Sequence, residues 1–136
     1  MILLDGKKTA AEIKEEIAIE VLQLKKDGIR VPHLAAILVG SDGASMTYVN
    51  AKVKACSKAG FESTLVDLPE NTTEAALLNE IETLNSNPEI DGFIVQLPLP
   101  KHIDEQKVLM AVNPDKDVDG FHPINVGKMA LDLPTF

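Results

Sequence analysis

Hydrophobic positions recur along this chain with two different periods. At Ala10, Ile13, Ile17, Val21 and Leu24 they step by three and four residues, the repeat of one helix face, and Asp27-Gly28 ends the run. Thr9-Ala10-Ala11-Glu12 has capping-box spacing and predicts the start of that helix. After Val31-Pro32 comes Leu34-Ala35-Ala36-Ile37-Leu38-Val39, an unbroken apolar run of strand length. Such a run fits a strand buried on both faces at the centre of a parallel sheet. Gly40-Ser41-Asp42-Gly43 then turns the chain into a second helix over residues 45–60. Residues 61–68 alternate weakly as a second strand, ended by Pro69. Asn71 or Thr72 caps a third helix that carries Leu77, Leu78, Ile81 and Leu84 and breaks at Asn87-Pro88. A third strand, Gly92-Phe93-Ile94-Val95, runs into Gln96-Leu97-Pro98-Leu99-Pro100, where two prolines exclude helix and sheet ladder alike. Asp104 opens a fourth helix through Val108, Leu109 and Val112, and from Asp115 onward the pattern is only weakly periodic.

Helix and strand alternate, with connections mostly too long for hairpins. The predicted fold is α/β, a mostly parallel sheet with helices on both faces in three α/β/α layers, formed as one domain over residues 1–136. Ligands of such sheets collect at the carboxyl ends of the strands. The second helix follows the end of the first strand, and Gln96 sits at the end of the third. If those strands are neighbours, Gln96 and that helix face one crevice.

Composition narrows the partners. Hydrophobic residues at 45% and charged residues at 25% describe a globular chain rather than a disordered one. The net charge of −8, with lysines scattered singly or in pairs, argues against a nucleic-acid backbone as partner. One cysteine, Cys56, fits a reducing compartment. Met1-Ile2-Leu3-Leu4-Asp5-Gly6 lacks a signal-peptide pattern, and no apolar run approaches a membrane span, so a cytoplasmic location without membrane contact is expected. Asn71-Thr72-Thr73 matches a glycosylation sequon but reads there as a helix start.

Aromatic residues make up only 4% of the chain, with one tyrosine, so Tyr48 is not core filler. Tyr48 and Lys52 are four apart and share one helix face. Two readings follow. Such a pair is often a solvated surface; alternatively, a lysine partly withdrawn from water beside a phenol moves protons near neutral pH. Gln96-Leu97-Pro98-Leu99-Pro100 is either a proline-stiffened connection or a polar amide beside a rigid apolar wall suited to a flat heteroaromatic ligand. Lys116-Asp117-Val118-Asp119-Gly120 is either a surface turn or a carrier that aims Asp119 inward to accept ligand N–H groups. Ser45 reads as a helix cap, with ligand contact the lesser reading, and Cys56, one turn beyond Lys52, as a small core residue rather than a nucleophile. His33, His102 and His122 have no metal-ligand spacing, and His122 is the one to watch, three residues after Asp119. No metal motif is present, and neither G-x-G-x-x-G nor G-x-x-x-x-G-K-[ST] occurs, so no nucleotide loop is found in the chain.

Three separated blocks carry a resemblance. Gly40-Ser41-Asp42-Gly43-Ala44-Ser45-Met46-Thr47-Tyr48-Val49-Asn50-Ala51-Lys52 and Val95-Gln96-Leu97-Pro98-Leu99-Pro100 are the first two, and the third is Pro114-Asp115-Lys116-Asp117-Val118-Asp119-Gly120-Phe121-His122-Pro123-Ile124-Asn125-Val126-Gly127. In this order, with Leu4-Asp5-Gly6-Lys7 before them, they resemble the bifunctional methylenetetrahydrofolate dehydrogenase/methenyltetrahydrofolate cyclohydrolases of the bacterial FolD type. The resemblance implies oxidation of 5,10-methylenetetrahydrofolate with NADP, then hydrolysis of the methenyl product to 10-formyltetrahydrofolate, in an enzyme that is a homodimer. It further implies that Lys52 is catalytic in the hydrolysis, that Gln96 bonds and tunes it, that Tyr48 lines the folate site, that Asp119 holds the pterin, and that Val95 and Leu97 flank it. Such enzymes continue beyond Leu133-Pro134-Thr135-Phe136 into an NADP-binding Rossmann domain, from which a final helix returns. The resemblance therefore places the cofactor's main site outside this chain and predicts an exposed apolar patch where that helix would sit. Two rivals differ in class. A short-chain dehydrogenase also uses Tyr-x-x-x-Lys but needs the glycine loop absent here, and a non-catalytic α/β binding module would leave Lys52 merely solvated.

Overall fold

The computed structural model describes residues 5–40 and 43–135. Three parallel strands, β1 (His33–Val39), β2 (Glu62–Leu68) and β3 (Gly92–Val95), pair in the order β2-β1-β3. The unbroken apolar strand is the central one, as its composition requires. Alternation sorts its side chains to two faces. Ala35, Ile37 and Val39 join Phe93 and Val95 in a core closed by Leu77, Ile81 and Leu84 of α3 (Glu74–Ser86) and by Val108 of α4 (Glu105–Ala111). Ala36, Leu38 and Ile94 pack instead on Val49 of α2 (Gly43–Ala59). Helices thus cover both faces, in the three layers expected.

Helix α1 (Gly6–Lys26) lies against α2. It begins before the predicted capping box. Asp5 is the cap, its Oδ1 accepting from the Lys8 N–H at 3.0 Å, while the Thr9 hydroxyl bonds back to the Asp5 carbonyl from inside the helix. Of the predicted apolar stripe only Val21 is buried, and Ile13 is 49% exposed, so the first turns of α1 are less covered than the pattern implies. Val21 meets α2 where Gly60 ends it. Gly60 has φ +84°, and a Cβ there would stand 3.1 Å from Val21 Cγ1, so both backbone conformation and space call for glycine.

The cap of α3 is Thr73 rather than Asn71 or Thr72, with its Oγ1 accepting from Ala76 N, while Thr72 spends its hydroxyl on the Pro69 carbonyl. Asp104 caps α4 as predicted. The weakly periodic remainder contains a 3-10 turn at Pro114–Lys116 and a helix, α5 (Pro123–Ala130), that the sequence reading missed. Around α5 the surface is apolar: Phe121, Ile124, Met129, Leu131 and Leu133 are each more than half exposed. Apolar side chains are exposed elsewhere as well, at Ile13, Ile19 and Leu22 of α1.

The start of the sheet is tied by Arg30, which forks onto both carboxylate oxygens of Asp91 at 2.7 and 2.8 Å; Asp91 also accepts from the His33 N–H. The guanidinium holds the Asp91 carboxyl below its ordinary range, with the His33 amide adding to the effect. A carboxyl depressed on folding contributes stability above its unfolded value, which is lost as pH falls through the folded one. Asp91→Asn is therefore expected to flatten the loss of stability on acidification below about pH 4, and urea unfolding midpoints measured against pH check it. The side chains are 44% and 39% exposed, so the effect is modest.

Candidate functional site

Because β1 and β3 are neighbours, the condition for a shared crevice is met. The Gln96 N–H donates to Ile37 O at 2.9 Å, which carries the ladder one residue past β3. Residues 94 and 96 then share the α2 face of the sheet, whereas Val95 turns to the α3/α4 core, where Leu97 also packs. Val95 and Leu97 thus direct their side chains to the α3/α4 core rather than toward Lys52.

On α2, Tyr48 is 66% exposed, and Lys52 follows one turn later with its side chain 44% exposed. Lys52 is thus half-exposed rather than buried. Its Nζ lies 3.7 Å from Oδ1 of Asp119, which sits on an exposed turn, so the segment is a surface turn whose carboxylate nonetheless faces Lys52. Both residues border a cavity of about 260 Å³ between α2 and the sheet, lined also by Ala36, Val53, Ile94 and Val118. Tyr48, Gln96 and Leu97 do not line it.

Gln96 does not bond Lys52 in this arrangement. Its Nε2 donates to the Leu97 carbonyl at 2.8 Å, and its Oε1 is the buried side-chain polar atom left without a hydrogen-bond partner among the described residues. Such an atom costs about 1–3 kcal/mol and marks a place where a donor from a ligand, or the Lys52 ammonium, would be satisfied.

The remaining candidates resolve into structural roles. Ser45 is buried within the first turn of α2 rather than at its cap. Cys56 borders the cavity, and burial pushes its thiol up, away from the thiolate a nucleophile needs. His122 is buried, caps α5, and accepts from Ile124 N through Nδ1, a structural role. His102 donates to the Thr72 carbonyl, and His33 bonds the Thr64 hydroxyl. No cluster of three potential metal ligands occurs among the described residues, and no helix among them is long and apolar enough to cross a membrane.

Sequence reasoning missed Asp117 and Asn125, both buried and bonded to each other. The signal was available in His122-Pro123, since proline is favoured in the first turn of a helix. That helix gives the end of the third sequence block a packed role.

A family model described as tetrahydrofolate dehydrogenase/cyclohydrolase, catalytic domain, matches residues 4–119. The bifunctional protein FolD of Flavobacterium psychrophilum is 67% identical over 136 residues, which is all of this chain and 46% of that protein. The protein of the same name from Christiangramia forsetii is 66% identical over the same shares. Among solved structures, the bifunctional FolD methylenetetrahydrofolate dehydrogenase/cyclohydrolase from Campylobacter jejuni superposes with a TM-score of 0.93 at 49% identity, covering 98% of this chain and 47% of that one. The Trypanosoma brucei methylenetetrahydrofolate dehydrogenase-cyclohydrolase, solved with NADP cofactor and an inhibitor, gives 0.90 at 37% identity over 98% and 46%. The chain spans about half the length of the curated relatives it matches.

Proposed function

The chain belongs to the tetrahydrofolate dehydrogenase/cyclohydrolase family, as its catalytic domain, and from that premise we propose that it supplies the folate site and catalytic lysine for two linked steps. These are the NADP-dependent oxidation of 5,10-methylenetetrahydrofolate to the methenyl form and its hydrolysis to 10-formyltetrahydrofolate. The observation that carries the proposal is the convergence of Lys52 and Asp119 across 3.7 Å at one cavity rim, from segments far apart in the chain.

Hydrolysis requires water to add to the methenyl carbon and the ring to open, with one proton taken up and returned. Lys52 is the group of this site suited to that exchange. The exposed ring of Tyr48, one turn away on the same face, offers a flat surface to the folate ring system. The Asp119 carboxylate suits the aminopyrimidine edge of a pterin because it accepts two N–H groups at once. Gln96 supplies the unpartnered Oε1 as an acceptor near the ends of β1 and β3. Val95 and Leu97 then contribute through their backbone.

The residues of this chain do not fit a dinucleotide, since the turn after β1 lacks the glycine spacing that lets a pyrophosphate approach the backbone. The main NADP site accordingly belongs to a carboxy-terminal Rossmann domain outside this chain, in a longer polypeptide that works as a cytoplasmic homodimer. Its products would serve purine, methionine and histidine biosynthesis.

The test is Asp119→Asn in that full-length polypeptide. Loss of a charge-assisted pair of hydrogen bonds, about 1.5–3 kcal/mol, is expected to raise the folate KM by roughly 10- to 100-fold in both assays. An unchanged KM would remove Asp119 from the folate site.

A further inference from the structure

Asp117, two residues before Asp119, holds the segment that carries it. Its backbone makes a parallel bridge to Phe93 at the free edge of β3. Its carbonyl accepts from the Gly120 N–H at 3.2 Å, closing a four-residue turn in which Asp119 is the third residue and Gly120, at φ +68°, the last. Its buried carboxylate accepts through Oδ2 from the His122 N–H at 2.8 Å and from Asn125 Nδ2 at 3.0 Å. Asn125 is itself 2% exposed and donates from the same nitrogen to the Pro114 carbonyl at 2.8 Å. One carboxylate therefore joins the sheet edge, the turn and the start of α5, where its charge also meets the favourable end of the helix dipole.

Two further constraints leave the segment little freedom. Lys116 Nζ donates to the carbonyls of Leu84 and Asn87 at the end of α3. On the other side, Gly92 admits Val118 so closely that a Cβ would stand 2.4 Å from Val118 Cγ2. At the tip of the turn, Asp119 stands opposite Lys52.

We infer that Asp117 is a positioning residue for the folate site, setting the place of the Asp119 carboxylate opposite Lys52 through the Asp117–Asn125 hydrogen bond and the turn it closes. The inference rests on the proposed folate reading. It assigns Asp117 no contact with substrate. Its replacement should therefore act only through Asp119.

The experiment is a double-mutant cycle in the full-length polypeptide, comparing wild type, Asp117→Asn, Asp119→Asn and the double variant by KM and kcat for 5,10-methylenetetrahydrofolate, with circular dichroism to score folding. Asp117→Asn keeps the shape of the side chain but loses the charged acceptor. It is expected to raise the folate KM about tenfold, equivalent to ~1.4 kcal/mol, with kcat changed much less. In the Asp119→Asn background the same substitution should add less than about twofold, the non-additivity of residues acting as one unit. A folded Asp117→Asn with unchanged KM, or a loss that multiplies fully onto Asp119→Asn, would overturn the inference. Should Asp117→Asn fail to fold, Asn125→Ala, which leaves the Asp117 charge and its His122 bond in place, carries the same cycle and the same criteria. If wild type itself shows no folate turnover, the proposed function falls first, and that result is distinct from a wild type that turns over while Asp117→Asn matches it.

Discussion

Replacing Lys52 by Met in the full-length polypeptide is expected to lower methenyltetrahydrofolate hydrolysis by about 10²- to 10⁴-fold, the range for losing a positioned proton-transfer group. The substitution should leave the fold intact. Lys52 sits on a half-exposed helix face, Met is nearly as good a helix former, and the ion pair it loses to Asp119 spans 3.7 Å across a partly exposed site. Stability should therefore change by no more than about 0.5 kcal/mol. Oxidation of the methylene substrate should survive, because it requires no proton exchange at Lys52. Parallel assays of the two steps on one preparation separate the roles. Equal loss of both activities would mean that Lys52 holds substrate rather than moves a proton, and an unaffected hydrolysis rate would remove Lys52 from the proton-transfer role.

The largest stability loss is expected at Phe93. This side chain is 1% exposed at the middle of β3, in the core shared by Ile37, Leu77, Ile81 and Val108. Removing a buried phenyl group costs about 3–5 kcal/mol in transfer energy and residual cavity, a large part of the ~5–15 kcal/mol typical of a whole domain. Phe93→Ala should lower the urea midpoint sharply at an unchanged slope. It should also disturb the site, because the backbone of Phe93 bridges to Asp117, two residues from Asp119. A loss below about 1 kcal/mol, far under the cost of an unfilled core cavity, would mean that the α3/α4 face is not the main core.

The sequence made the sheet legible because strand burial is written in consecutive residues. The run Leu34-Ala35-Ala36-Ile37-Leu38-Val39 needs apolar neighbours on both faces, and only the centre of a covered sheet provides them. Helix starts were less legible. Asp5, Thr9, Asn71, Thr72 and Thr73 all have side-chain oxygens able to cap, and the choice among them depends on which backbone amides the rest of the fold leaves free. The stretch after Asp115 was misread for a related reason. Its order comes from buried polar bonds among Asp117, His122 and Asn125, while its apolar side chains Ile124 and Met129 stand exposed instead of marking a core face.

The site divides in the same way. Tyr48 and Lys52 could be paired from spacing alone, since four residues make one helical turn. That Asp119 rather than Gln96 would stand opposite Lys52 depends on the turn at the edge of β3, a non-local feature that spacing does not encode. Val95 entered as a ligand neighbour only through the family resemblance, while the alternation of the strand sends its side chain into the opposite core.

The most direct test of the central claim is a crystal structure of the full-length polypeptide with a tetrahydrofolate analogue bound. The account predicts the pterin's N–H groups within hydrogen-bond distance of Asp119, the ring system against Tyr48, and the one-carbon position within reach of Lys52 Nζ. A ligand bound away from Asp119 and Lys52 would contradict it, and the pair would then be an ordinary surface ion pair.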